Sequence, residues 1–188
     1  MKILFVGGGG VIYGKETVTL SLMEGLRARG HEIYCITSTW GEAFAKELDA
    51  RLIPYTRLPL GFISKTLRWE PIYMTLDQLY RLPQLWLGYH QIVKRFKPDF
   101  ILHSTFHFSF LLWPLLDPKK TIFHVHDFFE PKRLYCTVIK FLGMRLRAFI
   151  GVSNFIRNSI IQLGIPENNV MPPINQGQKT VESSSCFG

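Results

Sequence analysis

Four consecutive glycines, Gly7–Gly10, separate a short apolar run from a helical pattern near the start of the chain. Residues 2–6 have strand character, and apolar residues then recur at helical spacing from Val18 until Gly30 ends the helix. This order of strand, glycine loop and helix is typical of a nucleotide-binding α/β layer. Because glycine lacks a Cβ, backbone N–H groups there can approach a phosphate closely. The run predicts a phosphate-facing loop, with a tight turn that binds nothing as the alternative.

Two familiar phosphate-binding loops fit this segment incompletely. The dinucleotide fingerprint needs a third glycine where Ile12 or Tyr13 stands, and an acidic residue after the second strand, where residues 37–39 are Thr-Ser-Thr. The P-loop pattern fits over residues 9–15, but Glu16 stands where Ser or Thr would bind magnesium. A carboxylate there would repel phosphates. A P-loop-like nucleotide-binding protein is therefore the weaker alternative.

Apolar strand-like runs alternate with helical patterns along the rest of the chain. After the first strand, the predicted strands cover residues 32–39, 51–55, 100–103, 121–127, 149–152 and 170–175. The predicted helices after the first cover residues 42–48, 85–96, 106–116, 131–147 and 154–163. Near-continuous apolar strands suit a parallel sheet covered on both faces. The sequence predicts an α/β fold, a Rossmann-like three-layer domain over residues 1–175 with a mostly parallel sheet of about seven strands, and a disordered tail over residues 176–188.

The excess of positive charge limits the classes of partner. The chain of 188 residues has 22 Lys and Arg against 14 Asp and Glu, a formal net charge of +8. This balance favours a nucleotide diphosphate or an anionic membrane surface as partner. No nucleic-acid-binding motif is present, so no nucleic acid partner is expected. The stretch 59–83, rich in aromatic residues and arginine, predicts a segment that wraps an acceptor or rests on lipid headgroups, with an ordinary packed helix as the alternative.

The cysteines and the apolar segments bear on the compartment. The three cysteines form no CxxC motif, which indicates a reducing environment. The first apolar run is too short for a signal peptide, and no run is long enough to cross a bilayer. These features predict a cytoplasmic protein, with peripheral association at the inner face of the membrane left open.

Five residues invite a metal-site interpretation: His103, His107, His124, His126 and Asp127. Two of them, His124 and His126, are spaced to share one face of a strand. No third ligand follows at a fixed spacing, however. The sequence therefore predicts no metal site.

The order of several motifs resembles the N-terminal half of a GT-B glycosyltransferase of family 4, whose members are retaining enzymes. The matching segments are K-I-L-F-V-G-G-G-G, R-A-R-G-H-E-I, K-P-D-F-I-L-H, F-H-V-H-D, G-V-S-N-F-I-R-N and G-I-P-E-N-N-V. The resemblance implies an acceptor-side domain, one half of a GT-B fold. The other half in this family holds most of the nucleotide sugar and supplies two glutamates seven residues apart.

That second half has no counterpart in the sequence. No such glutamate pair is present, and residues 175–177, Asn-Gln-Gly, depart from the family's usual Asn-Gly. We therefore expect an incomplete enzyme that needs a second donor-binding domain or subunit. The resemblance implies transfer of a sugar from a nucleotide-sugar donor to an acceptor, which could be a sugar, a lipid-linked sugar or an envelope polysaccharide, with retention. The alternative is a non-catalytic partner or membrane-recruiting subunit of a split glycosyltransferase.

The resemblance also implies roles for individual residues, with the nucleotide sugar as co-substrate and neither cofactor nor metal. Gly8, Gly9 and Gly10 would offer backbone N–H groups to the diphosphate. His126 would lie beside the reacting sugar carbon, with a buried core histidine as the alternative. Asp127 would orient His126 or cap the next helix.

Two further candidates follow the sixth predicted strand. Ser153 and Asn154 lie at the same edge of the sheet and would also bind the donor. Helix capping alone would equally explain Ser153.

Overall fold

The computed structural model describes residues 1–61, 69–130 and 132–173, without the side chains of residues 69–74 and 134. Its strands are β1 (Lys2–Val6), β2 (Glu32–Ser38), β3 (Tyr55–Leu58), β4 (Phe100–His103), β5 (Thr121–Val125), β6 (Ala148–Gly151) and β7 (Val170–Met171). Its α-helices are α1 (Gly14–Ala28), α2 (Glu42–Ala50), α3 (Trp69–Tyr80), α4 (Leu82–Phe96), α5 (Phe106–Leu111), α6 (Arg133–Gly143) and α7 (Asn154–Gln162). The described strands form one sheet in the order β3-β2-β1-β4-β5-β6-β7, and every pairing is parallel.

Alternating strand residues separate two apolar cores, one on each face of the sheet. Ile3 and Phe5 of β1 pack in the core that contains the buried residues of α1 and α2. Leu4 and Val6 pack in the other core, together with buried residues of α4, α5, α6 and α7. The predicted α/β, three-layer, Rossmann-like fold is therefore confirmed.

The third strand was predicted too early. Residues 51–52 still close α2, since the Arg51 amide donates to the carbonyl of Glu47, and Leu52 has a left-handed backbone with φ of 53°. The strand begins only at Tyr55, after Pro54. It lies at an edge of the sheet, where a neighbouring proline is tolerated.

Other predicted elements were too long. The fifth strand ends at Val125, so His126 and Asp127 lie in the following loop. The helix after β4 ends at Leu111, and a 3₁₀ turn containing Pro114 follows, because proline lacks the amide hydrogen that an α-helix needs. The helix predicted over residues 131–147 is α6, which spans only Arg133–Gly143.

Parts of two predictions lie outside the described residues. They are the tail over residues 176–188 and residues 62–68 of the aromatic and basic stretch. Within the described residues, no helix combines the length and the hydropathy that crossing a bilayer requires.

Candidate functional site

Packing and backbone geometry explain the first two glycines of the run. The Gly7 amide donates to the carbonyl of Ile36 at 3.1 Å, and a Cβ on Gly7 would lie 1.9 Å from the Ser104 Oγ. Gly8 has a positive φ of 95°, and a Cβ there would lie 2.2 Å from a ring carbon of Phe44. Larger residues would therefore clash at both positions, whether or not a ligand binds.

The last two glycines are open instead. A Cβ on Gly9 or Gly10 would meet no atom closer than 3.4 Å, and Gly10 is exposed. Both residues line a cavity at the carboxyl edge of the sheet, where open α/β sheets bind ligands. Half of the glycine run is thus available to face a ligand.

Glu16, the residue that departs from the P-loop pattern, has a structural role at the start of α1. Its Oε2 accepts the Tyr13 amide at 3.1 Å, and its Oε1 lies 3.6 Å from the Lys15 Nζ. Only 3% of Glu16 is exposed. The carboxylate therefore caps a backbone donor at the start of α1 and lies near the ammonium of the neighbouring lysine without a hydrogen bond to it.

The cavity beside the glycine run, here called the loop cavity, has a volume of about 380 Å³. Its walls are mainly apolar, with Trp40, Leu60 and Phe108 as the large side chains. The remaining lining residues are Gly8, Gly9, Gly10, Lys15, Ser38, Gly61, Asp77, Gln78, Thr105 and His107. The Ser38 hydroxyl fixes two of the walls, because it donates to the Leu60 carbonyl and accepts the Trp40 amide at 3.1 Å.

The polar groups of the loop cavity differ in how far they are already engaged. The Gln78 Nε2 donates to the Pro59 carbonyl at 2.8 Å, and Asp77 forms an ion pair with Arg81 at 2.9 Å. By contrast, the buried Oγ1 of Thr105 has no hydrogen-bond partner among the described residues. The hydrogen-bonding capacity of this hydroxyl is therefore unused within the described residues.

A second cavity of about 530 Å³ lies on the other side of the start of α1. Residues on this cavity, here called the histidine cavity, are Tyr13, Gly14, Lys15, Glu16, Val18, His126, Asp127 and Val152. The structure therefore brings His126 and Asp127 together. Lys15 lines both cavities and joins them.

The imidazole of His126 is held neutral by its surroundings. Burial lowers the pKa of His126 to about 3, with further contributions from His124 and from the charge of Lys15. The His124 ring lies edge-on at 4.3 Å between centroids, and burial lowers the pKa of His124 to about 4. Within the described part of the chain, the Nε2 of His126 has no partner. At neutral pH this ring can exchange hydrogen bonds with a ligand but carries no charge.

The other predicted site residues lie apart from these two cavities. The Ser153 Oγ accepts the Ile156 amide at 3.3 Å, so the serine caps α7 as its position suggested. Asn154 is exposed at the start of the same helix. Neither residue lines the loop cavity or the histidine cavity.

Three lining residues were not predicted as site residues. Trp40 and Thr105 follow β2 and β4 directly, so the rule that ligands bind at the carboxyl ends of parallel strands could have found them. Lys15 entered only as part of an incomplete P-loop pattern. Its position between two cavities depends on tertiary structure.

The histidines do not assemble into a metal site in the part of the chain that is described. There, no three His, Cys, Asp or Glu side chains are grouped closely enough to hold a metal ion. His124 and His126 are neighbours, but His103 lies on the opposite face of the sheet, where its Nδ1 is 3.1 Å from the Ser109 Oγ.

Sequence comparison identifies one family. The profile of Glycosyltransferase Family 4 matches residues 12–172, which include the described lining of both cavities except for Gly8, Gly9 and Gly10. No curated protein sequence is significantly similar to the chain.

Several solved structures have the same fold. HepE from Anabaena, in complex with UDP and glucose, is 18% identical with a TM-score of 0.61 over 92% of this chain and 43% of its own. MurG from Acinetobacter baumannii is 12% identical with a TM-score of 0.57 over 81% of this chain and 41% of its own. UDP-GlcNAc 2-epimerase from Neisseria meningitidis, bound to UDP-GlcNAc, is 14% identical with a TM-score of 0.60 over 92% of this chain and 45% of its own.

These similarities establish the fold and its extent. The chain spans less than half of each of the three proteins. One of the three is named as an epimerase, which illustrates that the fold alone does not determine the reaction.

Proposed function

Since the chain belongs to Glycosyltransferase Family 4, we propose that it is the acceptor-side domain of an enzyme that transfers a sugar from a nucleotide sugar to an acceptor, with retention. The observation that carries this proposal is the junction of the loop cavity and the histidine cavity at Lys15. Two adjoining cavities at the carboxyl edge of the sheet suit a reaction in which an acceptor and a donor must meet.

The loop cavity suits the acceptor. Trp40 is 58% exposed, and its indole offers a flat face against which a sugar ring can pack. Leu60 and Phe108 make the remaining wall apolar, while the Thr105 hydroxyl is free to bind a sugar hydroxyl. An apolar cavity with few polar groups is typical of a site for a ligand with an apolar part. We therefore propose a lipid-linked sugar as the acceptor class.

The histidine cavity suits the reacting end of the donor. A neutral His126 can form a hydrogen bond with a sugar hydroxyl without attracting anions from the solvent. Asp127 lies beside it on the cavity wall. Binding of UDP and glucose by HepE supports a nucleotide sugar as the donor class. In the proposed reaction the leaving diphosphate takes the proton of the acceptor hydroxyl, and the residues of this chain position both substrates.

Exposed aromatic residues stand close in sequence to residues of the histidine cavity and suit contact with a second domain. The rings of Phe128 and Phe155 stack at 5.4 Å between centroids, yet the two residues are 50% and 66% exposed. Tyr13, on the wall of the cavity, is 69% exposed. Exposed apolar side chains that lie close together are typical of a surface that contacts a partner. We propose a donor-binding domain or subunit there, in keeping with the greater length of HepE.

A second candidate function is membrane recruitment, which the outer surface of α3 favours. Asp77 and Gln78 of this helix line the loop cavity, whereas Leu76, Leu79 and Tyr80 are 59%, 47% and 86% exposed. One helix thus contributes to the proposed acceptor site and presents apolar side chains outward. This arrangement suits a lipid surface that delivers the acceptor. Co-sedimentation with phosphatidylglycerol vesicles tests membrane recruitment. If wild type and Tyr80→Ser bound the vesicles equally well, α3 would not be the surface that contacts the lipid.

Binding of an alkyl glucoside tests the proposed acceptor site. We expect isothermal titration calorimetry to detect n-octyl β-glucoside below its micellar concentration, and Trp40→Ala to weaken that binding about tenfold because the stacking surface is lost. Met144→Ala is the matched control, since Met144 is 65% exposed and lines neither cavity. Equal affinities for the wild-type chain and Trp40→Ala would contradict the acceptor assignment.

The need for a second donor-binding part is tested by turnover. The purified chain is expected to release no measurable UDP from UDP-glucose in the presence of the alkyl glucoside. Rapid release by the chain alone would show that it needs no donor-binding partner.

A further inference from the structure

Lys15 has a position shared by no other residue that lines the two described cavities. It is the second residue of α1, and one quarter of its side chain is exposed. Lys15 lines the loop cavity together with Gly9 and Gly10, and it lines the histidine cavity together with His126. A group bound to the Lys15 ammonium would therefore lie between the proposed acceptor and the proposed reacting sugar.

The charges around the cavities make Lys15 distinctive. Among the described residues that line the two cavities, it is the only Lys or Arg. The neighbouring His126 cannot supply a positive charge at neutral pH, because its pKa is lowered to about 3. An anion in either cavity thus has one fixed positive charge within reach.

Glu16 does not saturate the Lys15 ammonium. Their closest N–O separation is 3.6 Å, which is longer than a hydrogen bond. Glu16 is also engaged elsewhere, since its Oε2 accepts the Tyr13 amide. An ammonium has three donors, so Lys15 can bind a ligand oxygen while Glu16 remains in place.

We propose that Lys15 binds a phosphate group at the junction of the two cavities, an inference that rests on the proposed glycosyl transfer. The bond between the sugar carbon and the leaving phosphate oxygen breaks with its electron pair on that oxygen. The acceptor oxygen forms the new bond to the carbon, and its proton passes to the leaving phosphate. On the donor's phosphate the ammonium would stabilise the negative charge that develops as this bond breaks, and on an acceptor's diphosphate it would hold a charge already present. The phosphate belongs either to the donor diphosphate or to the diphosphate of a lipid-linked acceptor.

Phosphate binding by wild-type and variant chains tests the proposal. Inorganic pyrophosphate is titrated into the full chain in EDTA, with amide NMR spectra as the readout. Lys15→Gln should weaken binding at least tenfold, because a charged hydrogen bond is lost, whereas Lys15→Arg should stay within about threefold of wild type. Lys46→Gln, an exposed lysine on α2 that lines neither cavity, should leave the affinity unchanged. The amide spectrum also verifies that each variant is folded.

Two further titrations identify the source of the phosphate. UDP represents the donor and geranyl diphosphate represents a lipid-linked acceptor. A loss of affinity in Lys15→Gln for UDP, for geranyl diphosphate or for both supports the proposal and names the source. Equal pyrophosphate affinity in Lys15→Gln and wild type, absence of binding by wild type, or binding that requires magnesium would overturn it. Binding of the alkyl glucoside does not depend on the charge of Lys15. If the chain did not bind the alkyl glucoside but still bound phosphate through Lys15, only the proposed acceptor site would be refuted.

Discussion

At the amino edge of the sheet, backbone and side-chain hydrogen bonds tie neighbouring segments together, whereas at the carboxyl edge several polar atoms have no partner. The Lys2 amide donates to the Asp99 carboxylate at 2.8 Å, and the Asp99 amide donates back to the Lys2 carbonyl at 2.8 Å. Farther along the same edge, the Arg147 Nη1 donates to the Lys119 carbonyl at 3.0 Å. These bonds join segments that are distant in sequence and hold the ends of the strands in register.

The carboxyl edge has the opposite character. Buried atoms without a hydrogen-bond partner among the described residues include Thr37 Oγ1, His103 Nε2, Thr105 Oγ1, His124 Nδ1 and His126 Nε2. The other such atoms are Thr121 Oγ1 at the start of β5, Tyr89 Oη on α4 and Arg51 Nε, which lies 3.0 Å from a carboxylate oxygen of Glu24. Because buried polar groups normally have partners, their concentration at one edge indicates where a ligand would contribute to the structure. The amino edge therefore contributes mainly to stability, whereas the carboxyl edge is the one suited to binding.

The largest expected effect on stability distinguishes the two halves of the glycine run. Gly8→Ala should lower the free energy of unfolding by about 3 kcal/mol, because φ is 95° and the new Cβ would overlap Phe44. Gly10→Ala should change it by no more than about 0.5 kcal/mol, since the site is open. Urea unfolding measures both. Equal losses would mean that the two halves of the run are not structurally distinct.

The buried histidines predict an intermediate effect that depends on pH. The pKa of His124 is lowered from 6.5 to about 4, so below pH 6.5 the unfolded chain binds a proton that the folded chain excludes. Stability is therefore lost as pH falls from 6.5 towards 4, and at pH 5 the loss from His124 is about 2 kcal/mol. His124→Gln should flatten the decline in unfolding free energy between pH 7 and pH 5 by that amount.

His90→Gln is the matched control for the pH experiment, because His90 is exposed on α4. Its unfolding free energy should decline with pH as steeply as that of wild type. If His124→Gln retained the full wild-type slope, the burial of His124 would not be a source of the acid sensitivity.

The smallest effects compare the two edges directly. Asp99→Ala removes the acceptor of the Lys2 amide and should cost about 1 kcal/mol of unfolding free energy. Thr105→Val removes a hydroxyl that has no partner within the described structure and should be neutral or slightly stabilising. Urea unfolding of both variants at one pH tests the difference. A larger loss from Thr105→Val than from Asp99→Ala would break the proposed division between the edges.

The sequence was sufficient for the fold wherever a continuous apolar run had clear boundaries. β1 and β4 begin and end where predicted, because Gly7 ends the first run and the Lys97-Pro98-Asp99 turn precedes the second. β3 was misplaced because the apolar pattern of residues 51–55 does not reveal the left-handed turn at Leu52. β5 was predicted two residues too long, because its apolar and histidine pattern continues beyond the last strand pairing.

The site was predictable only in part. The motif order placed Gly9, Gly10, His126 and Asp127 at one edge of the sheet, but no periodicity could show that they line two cavities rather than one. Lys15 links the cavities because of how the start of α1 packs across this edge. That packing is tertiary structure, which the sequence pattern does not show. Likewise, only the packing of Phe44 and Ser104 reveals why Gly7 and Gly8 must lack side chains.

An NMR map of the chain with UDP-glucose and n-octyl β-glucoside together tests the central claim most directly. The account predicts that the largest amide shifts fall on Gly9, Gly10 and Lys15, with a change in the ring signals of His126. The amino edge offers a contrasting cavity of about 600 Å³, whose lining includes Tyr34. Shifts concentrated there, with the carboxyl edge unchanged, would contradict the assignment of the carboxyl edge as the binding site.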